Sequence, residues 1–388
     1  MRVLYSFPHS LDRPGIALTA RQQVLGLARL GVQVDLFVTS VGSVRLPAGV
    51  RAHSTMSVRG VRLPHRAIGV NRAYEYHDAV VARWLSRHAA GIDVVHVWPR
   101  AALRTLAAAA RAGIPALRES PNPHTASVIR QSERAAADAR VPLPRTHSHA
   151  SNAAVLATER AEYAAATAVL VPSDYARTEF LAEGFPVGAL LQHRYGCDLT
   201  DFPRRDQQAT GAERPFRAVF LGRGDPTKGL HVALEAWRLA ALPNAELLIA
   251  GAIQPDYAQA LAGLLAMPTV TVLGFVDDVG ALLRSADVLL LPSWTEGSAL
   301  VVFEAAASGC VPLVSAAAGA LGTSGTDYLE HPVGDRVALA AHLRHLAEDP
   351  ALLAQLSARS TARREFLSWD RAGEVLLERY GDATALFT

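Results

Sequence analysis

One pattern, written twice, most constrains what this chain can fold into: short continuous apolar runs separated by segments of helical period. A strand that is apolar on both faces must be covered on both, as strands are in a parallel sheet flanked by helices. In the first half the runs are Arg2–Phe7, Val32–Val38, Asp93–Trp98, Pro115–Arg118 and Ala168–Val171. Helical patterns such as Leu18–Leu30 and Ala101–Ala112 lie between several of them. In the second half the expected strands are Arg217–Leu221, Ala245–Ala250, Thr269–Leu273, Ala286–Leu291 and Val311–Ser315. Helices are expected there at Leu230–Ala241, Tyr257–Ala266, Val279–Arg284, Phe303–Ser308 and Val337–Leu346. Each half therefore reads as a doubly wound α/β unit. The polar stretch Pro203–Arg214 has no apolar period and reads as a linker. The expected organisation is a first domain over 1–202, a linker over 203–214, and a second domain over 215–365. A C-terminal helical segment, 366–388 with its core at Trp369–Tyr380, is then able to cross back onto the first domain.

Composition matters for what it excludes. No apolar run approaches the length of a membrane span. The N-terminal run is interrupted by Pro8 and His9 and reads as a first strand, not a signal peptide. The two cysteines, Cys197 and Cys310, belong to no metal-spaced cluster, so a cytoplasmic protein without a disulfide framework is expected. Residues 1–200 carry 23 arginines against 14 acidic residues, a balance of +9, whereas the remainder stands at −7. The basic half can face an anionic partner, such as a phosphorylated acceptor or the inner face of a membrane; solvated arginine is the plainer alternative. Arg59, Arg62, Leu63, Arg66 and Ile68 read either as a basic-apolar contact surface or as an exposed loop. No aromatic-interleaved basic patch or finger motif points to nucleic acid.

Ligands of open α/β sheets bind beyond the carboxyl ends of the strands. Several stretches occupy that place. Glu296-Gly297-Ser298-Ala299-Leu300-Val301-Val302-Phe303-Glu304 joins a strand end to a helix start, with a carboxylate on either side of the turn. The helix N-terminus would favour an anion such as a phosphate; Glu296 as a solvated loop residue and Glu304 as a first-turn glutamate remain the alternative. Leu221-Gly222-Arg223-Gly224-Asp225-Pro226-Thr227-Lys228-Gly229 also follows a strand. It is neither a Walker loop nor a dinucleotide fingerprint, but it carries two cations. Lys228 is the only lysine among 38 basic residues, as though a compact ammonium were needed there. Arg223, Lys228 and the helix N-terminus together would cradle a diphosphate without a metal. In the first half, Gly15 and His124 follow strand ends. No Asp-x-Asp clamp, Gly-x-Ser-x-Gly elbow or His-Glu-x-x-His motif occurs, which leaves hydrolase and metalloprotease readings without support.

Taken together these motifs resemble a known family. Arg223-x4-Lys228-Gly229, Gly274-Phe275-Val276, Ala286-Asp287-Val288-x3-Pro292-Ser293 and Glu296-x7-Glu304 are similar to those of the retaining GT-B glycosyltransferases of family four. The stretch Glu159–Glu183, followed by Tyr195-Gly196-Cys197-Asp198, is similar to the segment that joins the two domains in that family. The resemblance implies two Rossmann-like domains facing each other across a cleft, the first on the acceptor side. It implies a hexosyltransferase that needs no cofactor and no metal, with a nucleoside-diphosphate sugar as co-substrate and UDP the expected nucleotide. The acceptor would be a saccharide, a lipid-linked or a small-molecule hydroxyl. Arg223 and Lys228 would hold the diphosphate, Glu304 the ribose hydroxyls and Glu296 the donor sugar. The N–H groups of Leu300 and Val301 would add to the phosphate site, with Gly297, Ser298 and Ala299 lining it. Gly15 would bring backbone against the phosphates, His124 would stand beside the donor sugar, and Val276 near the base. His124, Glu296, Arg223 and Lys228 are the catalytic candidates. Two departures leave the sugar open: Ser298-Ala299 where many members have Phe-Gly, and Gly319-Ala320-Leu321-Gly322 where many have a Gly-Gly pair followed by Glu. A non-catalytic nucleotide-sugar-binding protein, a phosphorylase or an epimerase of the same fold are the alternatives.

Overall fold

The architecture follows from two fully parallel sheets, seen in a computed structural model that describes residues 1–58, 61–62, 69–144, 147, 149–205 and 214–387. The first sheet contains β1 (Arg2–Ser10), β2 (Gln33–Ser40), β3 (Val50–Ser54), β4 (Val94–Val97), β5 (Ala116–Glu119), β6 (Ala168–Val171) and β7 (Leu190–Gln192), in the order β3-β2-β1-β4-β5-β6-β7. The second contains β8 (Phe216–Leu221), β9 (Ala245–Ala250), β10 (Val270–Gly274), β11 (Val288–Leu291), β12 (Val311–Ser315) and β13 (Leu329–His331), in the order β10-β9-β8-β11-β12-β13. In each, the order reverses beside the first strand, and the crevice at that reversal is the ligand position of doubly wound folds.

The apolar runs are buried as a two-faced sheet requires. In β1, Val3, Tyr5 and Phe7 join one core cluster and Leu4 joins the cluster on the opposite face. In the second sheet, Ala218, Phe220, Val288 and Leu290 face one way, and Val219, Leu289 and Leu291 the other. Each fully buried Leu or Val side chain contributes roughly 1.5–3 kcal/mol. Cys197 and Cys310 are buried free thiols.

The chain divides into two compact units that do not follow a single cut at residue 202. The first comprises Met1–Thr125, Asn152–Tyr195 and Trp369–Thr388; the second comprises Ala126–Ser151 and Gly196–Ser368. Residues 126–151, expected in the first domain, belong to the second unit for a physical reason. Asp138, at the end of the helix Thr125–Asp138, takes a hydrogen bond of 2.8 Å with His231 Nε2 and an ion pair with Arg336. Ala139 and Val141 pack against the second unit's core. Gly196–Phe202 is likewise drawn in, through Cys197 N donating to Leu367 O at 2.8 Å and Arg364 Nη2 donating to Leu199 O at 2.8 Å. The C-terminal helix is longer than expected, Trp369–Phe387, and packs on the helix Ile16–Arg29. The two backbones approach so closely that a Cβ on Gly26 would stand 3.3 Å from Gly373 Cα. Most of the expected linker, residues 206–213, lies outside the described residues, as do Arg59, Leu63, Arg66 and Ile68. Among the described residues no helix is long and apolar enough to cross a membrane.

Candidate active site

The second unit gathers three loops at the carboxyl edge of its sheet, those after β8, β11 and β12. Asp225 organises the first. It is fully buried and accepts from Thr227 N at 2.9 Å and Lys228 N at 3.2 Å, capping the single 3-10 turn Pro226–Lys228. The same carboxylate holds Arg223 through its Nε. Burial alone would raise the pKa of Asp225, but contact with His147, Thr227 and Arg223 holds it well below the usual carboxylate range. Gly229 closes the turn at φ 74°, and a Cβ there would sit 2.1 Å from the Pro292 carbonyl oxygen. This close approach seats the loop against the end of β11, where Trp294 N donates to Thr227 O at 2.8 Å.

That contact brings the expected donor residues together. Lys228 Nζ is paired with Glu296, and Ser293 Oγ donates to the same carboxylate at 2.9 Å. Ser293 is held in turn by Ser315 Oγ, which donates to its carbonyl. The helix after Glu296 runs Leu300–Ser308, three residues earlier than expected, and Ala299 at its N-cap supplies no side-chain acceptor. Its first N–H groups, Leu300 and Val301 among them, are thus free of a side-chain cap at the edge where Arg223 and Lys228 stand. Ser298 and Ala299 are both buried, and their commitments join the two departures noted above. Ser298 Oγ donates to Gly319 O at 3.2 Å, and Ala299 N donates to Ala318 O at 3.2 Å.

Glu304 lies on the second turn of this helix, half-buried, and among the described residues no cation stands against its carboxylate. Burial, with Asp201 nearby, raises its pKa to about 7. An unpartnered carboxylate in such a place is poised to accept hydroxyl donors from a ligand. Val276 packs partly buried against the cluster of Leu291, Ala299 and Val302, beside Phe275, which is 86% exposed.

Gly15 and His124 belong to the first unit, each after a strand of that sheet: Gly15 after β1 at φ 77°, His124 after β5. His124 is more deeply set than a loop histidine, packed on Tyr163 and Phe180 with Glu183 Oε2 at 3.8 Å from Nδ1. Burial lowers its pKa, and Glu183 opposes the shift.

The sequence reading missed Asp225, His147 and His149. Asp225 had a local signal, since Asp followed by Pro marks a capped turn with proline at its first position. The histidines had none, because they reach this loop from residues distant in sequence.

The chain is similar to known proteins along nearly its whole length. Residues 215–349 match the family model described as glycosyl transferases group 1. The chain is 30% identical to a D-inositol 3-phosphate glycosyltransferase of Mycolicibacterium vanbaalenii, over 97% of this chain and 87% of that protein. It is 27% identical to a protein of the same name from Mycobacterium tuberculosis, over 96% and 80%. Among solved structures it is similar to sucrose-phosphate synthase from Thermosynechococcus elongatus, with a TM-score of 0.71, 20% identity and 99% of both chains covered. It is also similar to Anabaena HepE in complex with UDP, with a TM-score of 0.68, 17% identity, and 98% of this chain and 100% of that chain covered. These last likenesses are of fold. The chain is a glycosyltransferase of the GT-B fold and belongs to group 1, the family 4-like enzymes.

Proposed function

We propose that the protein transfers a hexose from a UDP-sugar to an acceptor hydroxyl with retention at the anomeric carbon, using its own cations and not a metal at the leaving group. The observation that carries this reading is the meeting of Lys228, Arg223 and an uncapped helix N-terminus at the strand-order reversal between β8 and β11. Lys228 is paired with Glu296; a donor's diphosphate would compete for its ammonium and leave Glu296 to the sugar hydroxyls. Arg223 is tethered by Nε to Asp225, which leaves its terminal nitrogens for phosphoryl oxygens. Glu304 accepts from the ribose hydroxyls.

In the reaction the bond from the anomeric carbon to the β-phosphate oxygen breaks, and its electron pair leaves with the diphosphate. The acceptor oxygen bonds to that carbon on the same face, and its proton passes to the departing phosphate. The protein's part is to stabilise the charge growing on the diphosphate with fixed cations and N–H dipoles. The first unit, with Gly15 and His124 after strands of its own sheet, would carry the acceptor. Its basic charge favours an anionic acceptor, and the name of the mycobacterial relatives makes inositol 3-phosphate the first to try. Such charge also suits peripheral contact with an anionic membrane, which liposome co-sedimentation would test.

The functional test is to incubate the protein with UDP-sugars and inositol 3-phosphate, with and without a chelator, and to read the anomeric configuration of the product by NMR. Product of retained configuration, undiminished by the chelator and reduced by about 10²–10³ with Lys228→Ala, is expected. Inverted product, or transfer that requires added metal, would contradict the proposal.

A further inference from the structure

Two histidines of the second unit, His147 and His149, stand at the loop that carries Arg223 and Lys228. His147 is buried, with Nε2 3.7 Å from Asp225 Oδ2. Its Nδ1 accepts from the backbone N–H of His149 at 3.2 Å. That acceptance fixes the tautomer: the proton of neutral His147 must sit on Nε2, on the Asp225 side. His147 is thus tied to the chain through Nδ1, with its other ring nitrogen toward Asp225. The ring of His149 stands edge-on to it at 5.5 Å, and its buried Nδ1 has no hydrogen-bond partner among the described residues. A buried ring nitrogen left unpaired costs free energy unless a ligand or water completes it.

We propose that His149 is a further ligand for the donor's diphosphate, neutral in the free protein and taking up a proton when the nucleotide sugar binds beside Arg223 and Lys228. The inference rests on the reading of this loop as a diphosphate site and adds a third, conditional cation to it. The charged and titratable groups that act on His149 are His147 from its own segment, and Asp225, Lys228 and Arg223 from the loop. Burial, then His147, Lys228 and Arg223 lower its pKa to about 4, with Asp225 opposing. A bound diphosphate cancels the two loop cations and adds negative charge, so the same ring becomes easier to protonate. Imidazolium Nδ1–H then donates to a phosphoryl oxygen. Binding should therefore be coupled to proton uptake, and should weaken as pH rises.

Titration calorimetry with UDP-glucose, in buffers of different ionisation enthalpy between about pH 6 and 8, measures the proton count directly. UDP-glucose is the right probe because its diphosphate diester has no proton to exchange in this range. Glu304 also exchanges protons there, so the quantity that matters is the difference between the wild type and His149→Gln. The wild type should take up more protons than the variant, by up to about one, and bind about tenfold more tightly at the acid end, with the gap closing toward the alkaline end. Equal proton counts and equal affinities would overturn the proposal. Should His149→Gln fail to fold, nitrogen NMR of the wild-type histidine rings decides: one ring must pass from neutral to imidazolium on adding UDP-glucose near neutral pH. No such change in a protein that binds UDP-glucose sinks the role of His149 alone. No binding at all sinks the functional reading of the whole site.

Discussion

Glu119 in the first unit and Glu304 in the second are both glutamates withdrawn from water, and they are held in opposite ways. Glu119 ends β5 and is fully buried. It accepts from Tyr195 OH at 2.8 Å, His193 Nε2 at 3.0 Å and Gln23 Nε2 at 3.1 Å, with His96 Nε2 at 3.3 Å but out of line for a hydrogen bond. Burial alone would raise its pKa; His193 and His96 instead hold it well below the usual carboxylate range. The network reaches the C-terminal helix, because His96 Nδ1 meets Tyr380 OH at 2.7 Å. Among the described residues Glu304 has no such set of donors, and its pKa is raised to about 7. A carboxylate whose acceptor sites are filled by the protein holds the fold together; one left with empty acceptor sites is available to a ligand.

The comparison is broken most forcefully at Glu119. Glu119→Ala leaves two histidines and two hydroxyl or amide donors facing a void, and should cost about 3–5 kcal/mol in urea denaturation. A loss under about 1 kcal/mol would show that the network is not structural. Next comes Lys228→Ala. Turnover should fall by about 10²–10³, the loss typical of removing one fixed charge-stabilising donor, while the melting temperature stays within a few degrees of the wild type. A large drop in stability would mean that the Lys228–Glu296 pair belongs with Glu119 and not with Glu304.

Smaller and of opposite sign is the effect at Glu304. Its folded pKa lies above its ordinary value of 4.5, so between those values the folded state holds a proton that the unfolded state has released. Stability contributed by that proton is present at low pH and is lost as pH rises through about 7. Glu304→Gln should flatten this decline and leave the variant more stable than the wild type by roughly 1–3 kcal/mol near pH 8, discounted for partial exposure. A pH–stability profile of the two proteins checks it. The same variant should weaken nucleotide binding about tenfold, since an ionised acceptor makes stronger hydrogen bonds to hydroxyls than an amide does. Stability gained together with affinity lost is the signature of a residue kept for a ligand.

How much of this was legible in the sequence depended on whether the signal was local. Ala168–Val171, Ala245–Ala250 and Val311–Ser315 appear as strands with the bounds their apolar runs suggested. The helix Val70–His88 was not legible. Two of its five buried positions are His77 and Asp78, which break the apolar period. Both are spent on tertiary bonds: His77 on Ser6 and Thr55 at 2.9 and 2.8 Å, Asp78 on the N–H groups of Arg104 and Thr105 at 2.8 and 2.9 Å. The expected helix Tyr257–Ala266 is two pieces, Pro255–Ala260 and Ala262–Leu265, with the break at Leu261. Leu190–Gln192 and Leu329–His331 are three-residue edge strands, too short to carry a period. In the site, the cations and glutamates could be read from their places after strands. Their mutual contacts could not, because the pairing of Lys228 with Glu296 spans two loops that meet only once β8 and β11 are neighbours.

The measurement that bears most directly on the second unit's role is calorimetric titration of the wild type and Lys228→Ala with UDP, each in the presence of chelator. The wild type should bind without metal, and the variant should bind at least about tenfold more weakly with its fold intact. Equal binding by both proteins, or wild-type binding that appears only when a divalent cation is restored, would contradict the assignment of this loop as the diphosphate site.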